Sequence, residues 1–170
     1  MTTLEELQQS LFEITQEVIP DVKQMTDGNL SARSENTLCQ IIIGNREEFT
    51  VVDFPSSMTI NGAWIFISFL VFSEEKMSNK DIENYFEFCS THNGPISYWK
   101  LERIEKGLEL WLQCSIPAGV GDTNLFLELL YENHALAEIN SKQFQEQFGY
   151  SKPVDKFEYI YKPARPLPNK

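Results

Sequence analysis

Basic side chains are scarce: 14 Lys and Arg stand against 25 Asp and Glu, so the 170-residue chain carries −11 at pH 7. A surface of that sign repels phosphate backbones, which duplex-binding proteins must neutralise with Lys and Arg, so nucleic acid is excluded as an expected partner. Cysteine is sparse as well. Cys39, Cys89 and Cys114 are odd in number and share no C-x-x-C spacing, which argues against a disulfide framework or zinc knuckle and for buried, reduced thiols. The only histidines, His92 and His134, lie far apart and outside any H-x-x-x-H or H-E-x-x-H pattern, so no metal or other cofactor is expected. Long apolar runs are missing too. The longest, Ala63 to Phe72, contains Ser68 and falls well short of a bilayer. The acidic, amphipathic start MTTLEELQQSLFEITQEV has neither the basic flank nor the unbroken apolar core of a secretory signal. The expected setting is the cytoplasm, with no membrane partner.

Enzyme signatures are missing from the same list. There is no G-x-S-x-G elbow. Cys89 precedes His92 by one helical turn but falls on an apolar stripe, where a thiol is core rather than nucleophile. Gly119-Val120-Gly121-Asp122 follows a strand and opens a helix, yet no Gly-Lys-Ser/Thr follows it. Asp122 there repels an anion and serves better as a helix cap. Glu47-Glu48 and Glu74-Glu75 are adjacent pairs at strand or loop edges, which reads as solvated charge rather than an acid and a base across a cleft. The expectation is a protein that is not an enzyme.

What the chain does have is apolar content, 42%. At this length that is enough for one domain with its own core. Leu4, Leu7, Leu11, Ile14 and Val18 alternate three and four apart and predict a helix, with Glu5 and Glu6 in its first turn and Pro20 ending it. Residues 27–37 read as loop. Strands are predicted at Leu38–Ile43, Phe49–Phe54 and Ala63–Phe72, with a minor start at Met58–Ile60; Gly44–Glu48 and Asn61-Gly62 make the turns. Ala63–Phe72 is apolar on both sides, with Ile65, Ile67, Phe69 and Val71 on one and Trp64, Phe66, Leu70 and Phe72 on the other. Such a strand is central and covered twice.

A helix opening at Ser78 buries Ile82, Tyr85, Phe86 and Cys89 and stops at Asn93-Gly94-Pro95. Strands Ile96–Arg103 and Leu108–Ile116 form a hairpin across Glu105–Gly107. The second turns Leu108, Leu110, Leu112, Cys114 and Ile116 inward and Glu109, Trp111, Gln113 and Ser115 outward. A last helix from Asp122 carries Phe126, Leu129, Leu130, Leu136 and Ile139, with a kink expected at Asn140-Ser141 before Phe144 and Phe148. The predicted order is α-β-β-β-α-β-β-α, an α+β fold with helices on one face of an antiparallel sheet. Residues 1–148 form the domain and 149–170 a basic, Pro-rich tail. Residues 151–170 hold five basic side chains against Asp155 and Glu158, a net +3 that leaves −14 on residues 1–150. The tail reads as extended, and Lys162–Pro168 has polyproline II spacing.

Three segments carry a resemblance: LEELQQSLFEI in the first helix, FEFCSTHNGPISYWKLE at the end of the second, and GLELWLQCSIPAGVGDTNLFLELL from strand to last helix. Over residues 1–148 the chain resembles the type III secretion chaperone-like fold and, within it, the YbjN-type bacterial family. The resemblance implies a small, acidic, cytoplasmic protein, often dimeric, that binds extended polypeptide along apolar sheet surface. The basic tail departs from that pattern.

Trp111 sits among Glu, Gln and Ser on the polar side of its strand, and Trp64 and Trp99 are expected on that side with Phe66. A tryptophan so placed is covered by something: the first helix, the tail, a second subunit or a client. The leading expectation is a homodimeric, non-enzymatic protein that binds a protein or peptide client through Trp64, Phe66, Trp99 and Trp111. On that reading, Trp111→Ala lowers client capture and leaves the melting temperature nearly unchanged. The alternative is a small-molecule-binding protein with an aromatic-lined cavity between sheet and helix.

Overall fold

The computed structural model describes residues 4–45, 63–75, 80, 81, 83–85, 87, 97–104, 107–118 and 123–160. Its first element, α1 (Leu4–Val18), is the predicted amphipathic helix, burying Leu7 and Leu11. It ends two residues before Pro20, whose ring excludes another helical turn. Two short strands follow, β1 (Asp21–Gln24) and β2 (Leu30–Arg33), paired antiparallel with Val22 opposite Ala32. Their turn needs Gly28, which has φ +85 and whose added Cβ would lie 2.0 Å from the Gln8 amide nitrogen.

The sheet then takes β3 (Leu38–Asn45), β4 (Ala63–Glu74), β5 (Tyr98–Ile104) and β6 (Gly107–Pro117). All neighbours are antiparallel, in the spatial order β1-β2-β3-β4-β6-β5. The final hairpin therefore folds back so that β6 lies against β4 and β5 is, among the described residues, the edge strand. Gly107 opens β6 where a Cβ would meet the Glu74 carbonyl oxygen at 1.9 Å, so the hairpin packs against the end of β4 only with glycine there. The chain continues into α2 (Thr123–Phe148) and a single helical turn, α3 (Pro153–Lys156).

The fold class is α+β, with α1 and α2 on one face of a six-stranded antiparallel sheet. Alternation along each strand fills that face: Leu30 and Ala32, Cys39 and Ile41, Ile65, Ile67 and Phe69, then Leu110, Leu112, Cys114 and Ile116. Against them pack Leu7 and Leu11 of α1 and Phe126, Leu129, Leu130, Ala137 and Phe144 of α2.

Three sequence expectations are corrected. The segment read as loop contains β2, and β1 precedes it: Leu30-Ser31-Ala32-Arg33 is too short and too small-chained to declare itself, yet Leu30 and Ala32 are buried. Phe72 lies on the helix side rather than with Leu70, because a bulge between Leu70 and Phe72 inserts an extra residue and reverses the alternation. α2 runs through Asn140-Ser141 as one continuous helix. Asn140 Nδ2 donates to the Leu136 carbonyl at 2.7 Å and Ser141 Oγ to the Val71 carbonyl at 2.9 Å, so both polar side chains are buried without interrupting α2. The tail is not wholly extended, since it begins with α3.

The strand expected at Phe49–Phe54, the start at Met58–Ile60, Cys89, His92, Gly119–Asp122 and Lys162–Pro168 lie outside the described residues. Of the helix expected from Ser78, residues 80, 81, 83–85 and 87 are described and helical, with Tyr85 edge-on to Phe72 at 6.3 Å between ring centroids. Among the described residues no helix is long and apolar enough to cross a membrane.

Candidate polypeptide-binding face

The side chains that do not face the helices form the second face of the sheet. Ser31 and Arg33 alternate with the core residues of β2, Leu38, Gln40 and Ile42 with those of β3, Trp64, Phe66, Ser68 and Leu70 with those of β4, and Glu109, Trp111 and Gln113 with those of β6. Gln113 Nε2 donates to Ser68 Oγ at 3.0 Å across the β4–β6 pair.

Residues 149–160 cross this face. Gly149, at φ 70, ends α2 and donates to the Gln145 carbonyl at 3.0 Å. Tyr150 then packs on the helix side, with ring centroids 5.0 Å from Phe72 and 5.6 Å from Phe148. Burial there, aided by the Asp81 and Glu74 carboxylates, pushes its hydroxyl up to about 12. The chain turns over the end of β4, where the Ser151 N–H donates to Glu74 Oε1 at 2.9 Å. Lys156 holds the same corner, donating to the Ser73 carbonyl and lying 3.5 Å from Glu74 Oε1.

Val154 and Ile160 then complete a second apolar core with Leu38, Leu70 and Trp111. Arg33 grips the segment through its main chain: Nη1 donates to the carbonyls of Phe157 at 2.8 Å and Glu158 at 3.2 Å, and Nη2 to that of Val154 at 2.7 Å. The Ile160 N–H donates to Ser31 Oγ at 3.2 Å. At the far end the Tyr159 hydroxyl donates to Asp21, which raises its pKa above the ordinary 10.0, and Lys23 Nζ lies 4.1 Å from the Tyr159 ring centroid. A guanidinium is a planar set of donors with no acceptor. Aimed at carbonyls, it holds the segment by its main chain and not by its side chains.

The four residues singled out from sequence part company here. Trp111 is on this face but only 2% exposed, beneath Val154 and Ile160, with its indole N–H donating to Glu109 Oε2 at 3.1 Å. Its cover is intramolecular, not a partner. Trp64 is 4% exposed and Phe66 half-buried, both on the same face. Trp99 is on the other face: β5 pairs with β6 so that Trp99 opposes Leu112, and directly opposed residues share a side. The signal was present in YWKLERI, where Trp99 and Leu101 alternate with Lys100 and Glu102. Ser31 and Arg33 were missed because their strand was read as loop.

Cys39, Cys114 and His134 pack on the helix side. Burial, then the Glu132 carboxylate, pushes Cys114 up to about 12. Burial also raises Cys39, against a hydrogen bond from the Ser68 backbone. Asn133 Nδ2 donates to the Leu129 carbonyl at 2.8 Å and to Cys114 Sγ at 3.4 Å, while Ser97 Oγ donates to Asn133 Oδ1. His134 Nε2 lies 2.6 Å from Ser34 Oγ, and burial lowers its pKa despite Glu138 nearby. Among the described residues no three His, Cys, Asp or Glu side chains gather as metal ligands would. No family model, curated protein or solved structure matches the chain.

Proposed function

We propose that this chain is a non-enzymatic polypeptide-binding protein, chaperone-like or regulatory, whose site is the sheet face crossed by residues 153–160. A client segment takes the place of those residues. The observation that carries the reading is the set of three hydrogen bonds from Arg33 to the carbonyls of Val154, Phe157 and Glu158. Recognition through the main chain, with Leu38, Leu70 and Trp111 receiving apolar side chains, is the chemistry of extended-peptide capture. The seated residues 153–160 carry Asp155, Lys156 and Glu158, a net −1, so the reading rests on the main-chain contacts and the apolar floor and not on the client's charge.

The test needs the covalent tether opened, because an attached segment competes at millimolar effective concentration. A protease site inserted between Gly149 and Lys152 allows cleavage of the folded chain, after which a fluorescent peptide with the sequence of residues 151–163 is added in excess. Saturable exchange is expected, as is competition by an extended peptide of unrelated sequence that carries apolar residues at the spacing of Val154 and Ile160. Arg33→Ala should weaken binding at least about tenfold, since the part-buried bond from this charged donor to the Val154 carbonyl alone contributes roughly 1.5–3 kcal/mol. If the native sequence exchanges but unrelated peptides never compete, the face is internal packing and the proposal fails.

A further inference from the structure

Among the described residues, β5 hydrogen-bonds to β6 alone and forms the outer strand of the sheet. An outer strand presents a row of main-chain donors and acceptors to whatever can pair with it. Its first residue, Tyr98, is 52% exposed. Lys100 and Glu102 share the face opposite the helices, as their pairing with Trp111 and Glu109 requires, and sit 3.7 Å apart. Charges commonly guard an edge, but the order of these two has a further consequence.

We infer that the partner of this edge is a second copy of the chain, its β5 added antiparallel about Leu101. In an antiparallel pair, directly opposed residues are of one hydrogen-bonding type, so a strand meeting its own copy changes register in steps of two. The neighbouring symmetric registers centre on Lys100, Leu101 and Glu102. The first sets Lys100 against the partner's Lys100, and the last sets Glu102 against the partner's Glu102. Like charges directly opposed are destabilising. Centring on Leu101 sets Lys100 against the partner's Glu102, and by symmetry Glu102 against the partner's Lys100. It is also the register that pairs all seven residues of β5. Opposed residues share a face, so the two sheets join into one with the peptide-holding faces on the same side. A seven-residue edge buries less than the roughly 800 Å² per partner of a standard interface, and the −11 charge of each copy opposes association. The dimer is accordingly a weak one.

Sedimentation velocity on the full chain, from about 5 to 500 μM in about 0.15 M salt, tests this. Wild type is expected to shift from monomer to dimer within that range. Lys100→Glu and Glu102→Lys each set like charges opposite one another in both symmetric positions and should raise the dimer dissociation constant about tenfold. The double variant K100E/E102K restores opposite charges and should restore association. Far-ultraviolet circular dichroism separates loss of pairing from loss of fold, and K100E, at an exposed position, carries the test if E102K does not fold. A wild type that stays monomeric to 500 μM, single variants that dimerise like wild type, or a folded double variant that does not recover would each overturn the inference.

Discussion

Glu138 and Thr37, a hundred residues apart in sequence, are joined twice: one carboxylate oxygen accepts the Thr37 backbone N–H at 3.0 Å and the Thr37 hydroxyl at 2.6 Å. The other accepts the Asn36 backbone N–H at 3.0 Å and its amide Nδ2 at 2.6 Å. This one side chain buckles α2 to the β2–β3 connection and satisfies two residues that are themselves buried. Glu138→Ala strips all four donors of their acceptor. The expected loss is about 3 kcal/mol, the range of one or two buried donors left unsatisfied, read as a lower urea midpoint with unchanged m value. Glu138→Gln keeps one acceptor oxygen and should lose less than Glu138→Ala but more than nothing; a Glu138→Gln variant as stable as wild type would show that the side chain acts only by filling space.

Trp111→Ala is expected to destabilise the chain by about 3–5 kcal/mol, the usual range for truncating a buried aromatic. The sequence-based expectation was the opposite, an open tryptophan whose loss left the melting temperature alone. The reversal follows from Val154 and Ile160, which close the cluster above the indole. Val154→Ala removes part of that cover from the other side and should cost about 1 kcal/mol or more. Thermal unfolding of both variants checks this. A melting temperature unchanged in Trp111→Ala would mean that the segment does not seat on the indole in solution.

The helices and the long strands were legible because their side-chain periods are strong: 3-4 spacing in residues 4–18, alternation in Leu108–Ile116, and a doubly apolar run in Ala63–Phe72. What stayed hidden was short or non-local. Leu30–Arg33 offers four residues, and nothing within them reveals the pairing with Val22 and Cys39 that makes them a strand. The bulge at Leu70/Phe72 is a property of the β4–β6 pair rather than of either strand. The cover over Trp111 is a contact between residues about 40 apart, and sequence pattern named the tail as one possible cover without choosing it. Of the residues that line this face, Trp64, Phe66 and Trp111 were named from the sequence, while Leu38 and the polar grip of Arg33 and Ser31 were not.

His134 should make stability depend on pH near neutrality. Burial lowers its pKa below the ordinary 6.5, and Glu138, one turn on, opposes this only in part. The groups that face it are Ser34, whose hydroxyl lies 2.6 Å away, and the Phe69 ring at 6.0 Å. As pH falls through 6.5 the unfolded imidazole takes up a proton that the folded one resists. Stability therefore declines until the folded pKa is passed. His134→Gln removes that component while leaving His92 to titrate in both proteins. The difference in urea midpoint between wild type and His134→Gln, measured from pH 7.5 to 5.5, is expected to move against wild type as pH falls. A difference independent of pH would show that His134 titrates alike folded and unfolded.

Cys39 and Cys114 should be chemically silent in the folded protein. Both are buried and free, and desolvation raises both thiols, Cys114 to about 12. The thiolate is the reactive species, and at pH 8 a thiol with that pKa is about one part in ten thousand ionised. Ellman's reagent applied to the native chain, followed by peptide mapping, should leave both positions unlabelled over an hour. In guanidinium both should react within minutes. Labelling of Cys114 in the native state at a rate approaching that in guanidinium would mean that α2 lifts from the sheet, since Asn133 and the helix stand between that thiol and solvent. If Glu138→Ala weakens the buckle as argued, native-state labelling of Cys39 and Cys114 should rise in that variant, because both thiols lie on the face of the sheet that the helices cover.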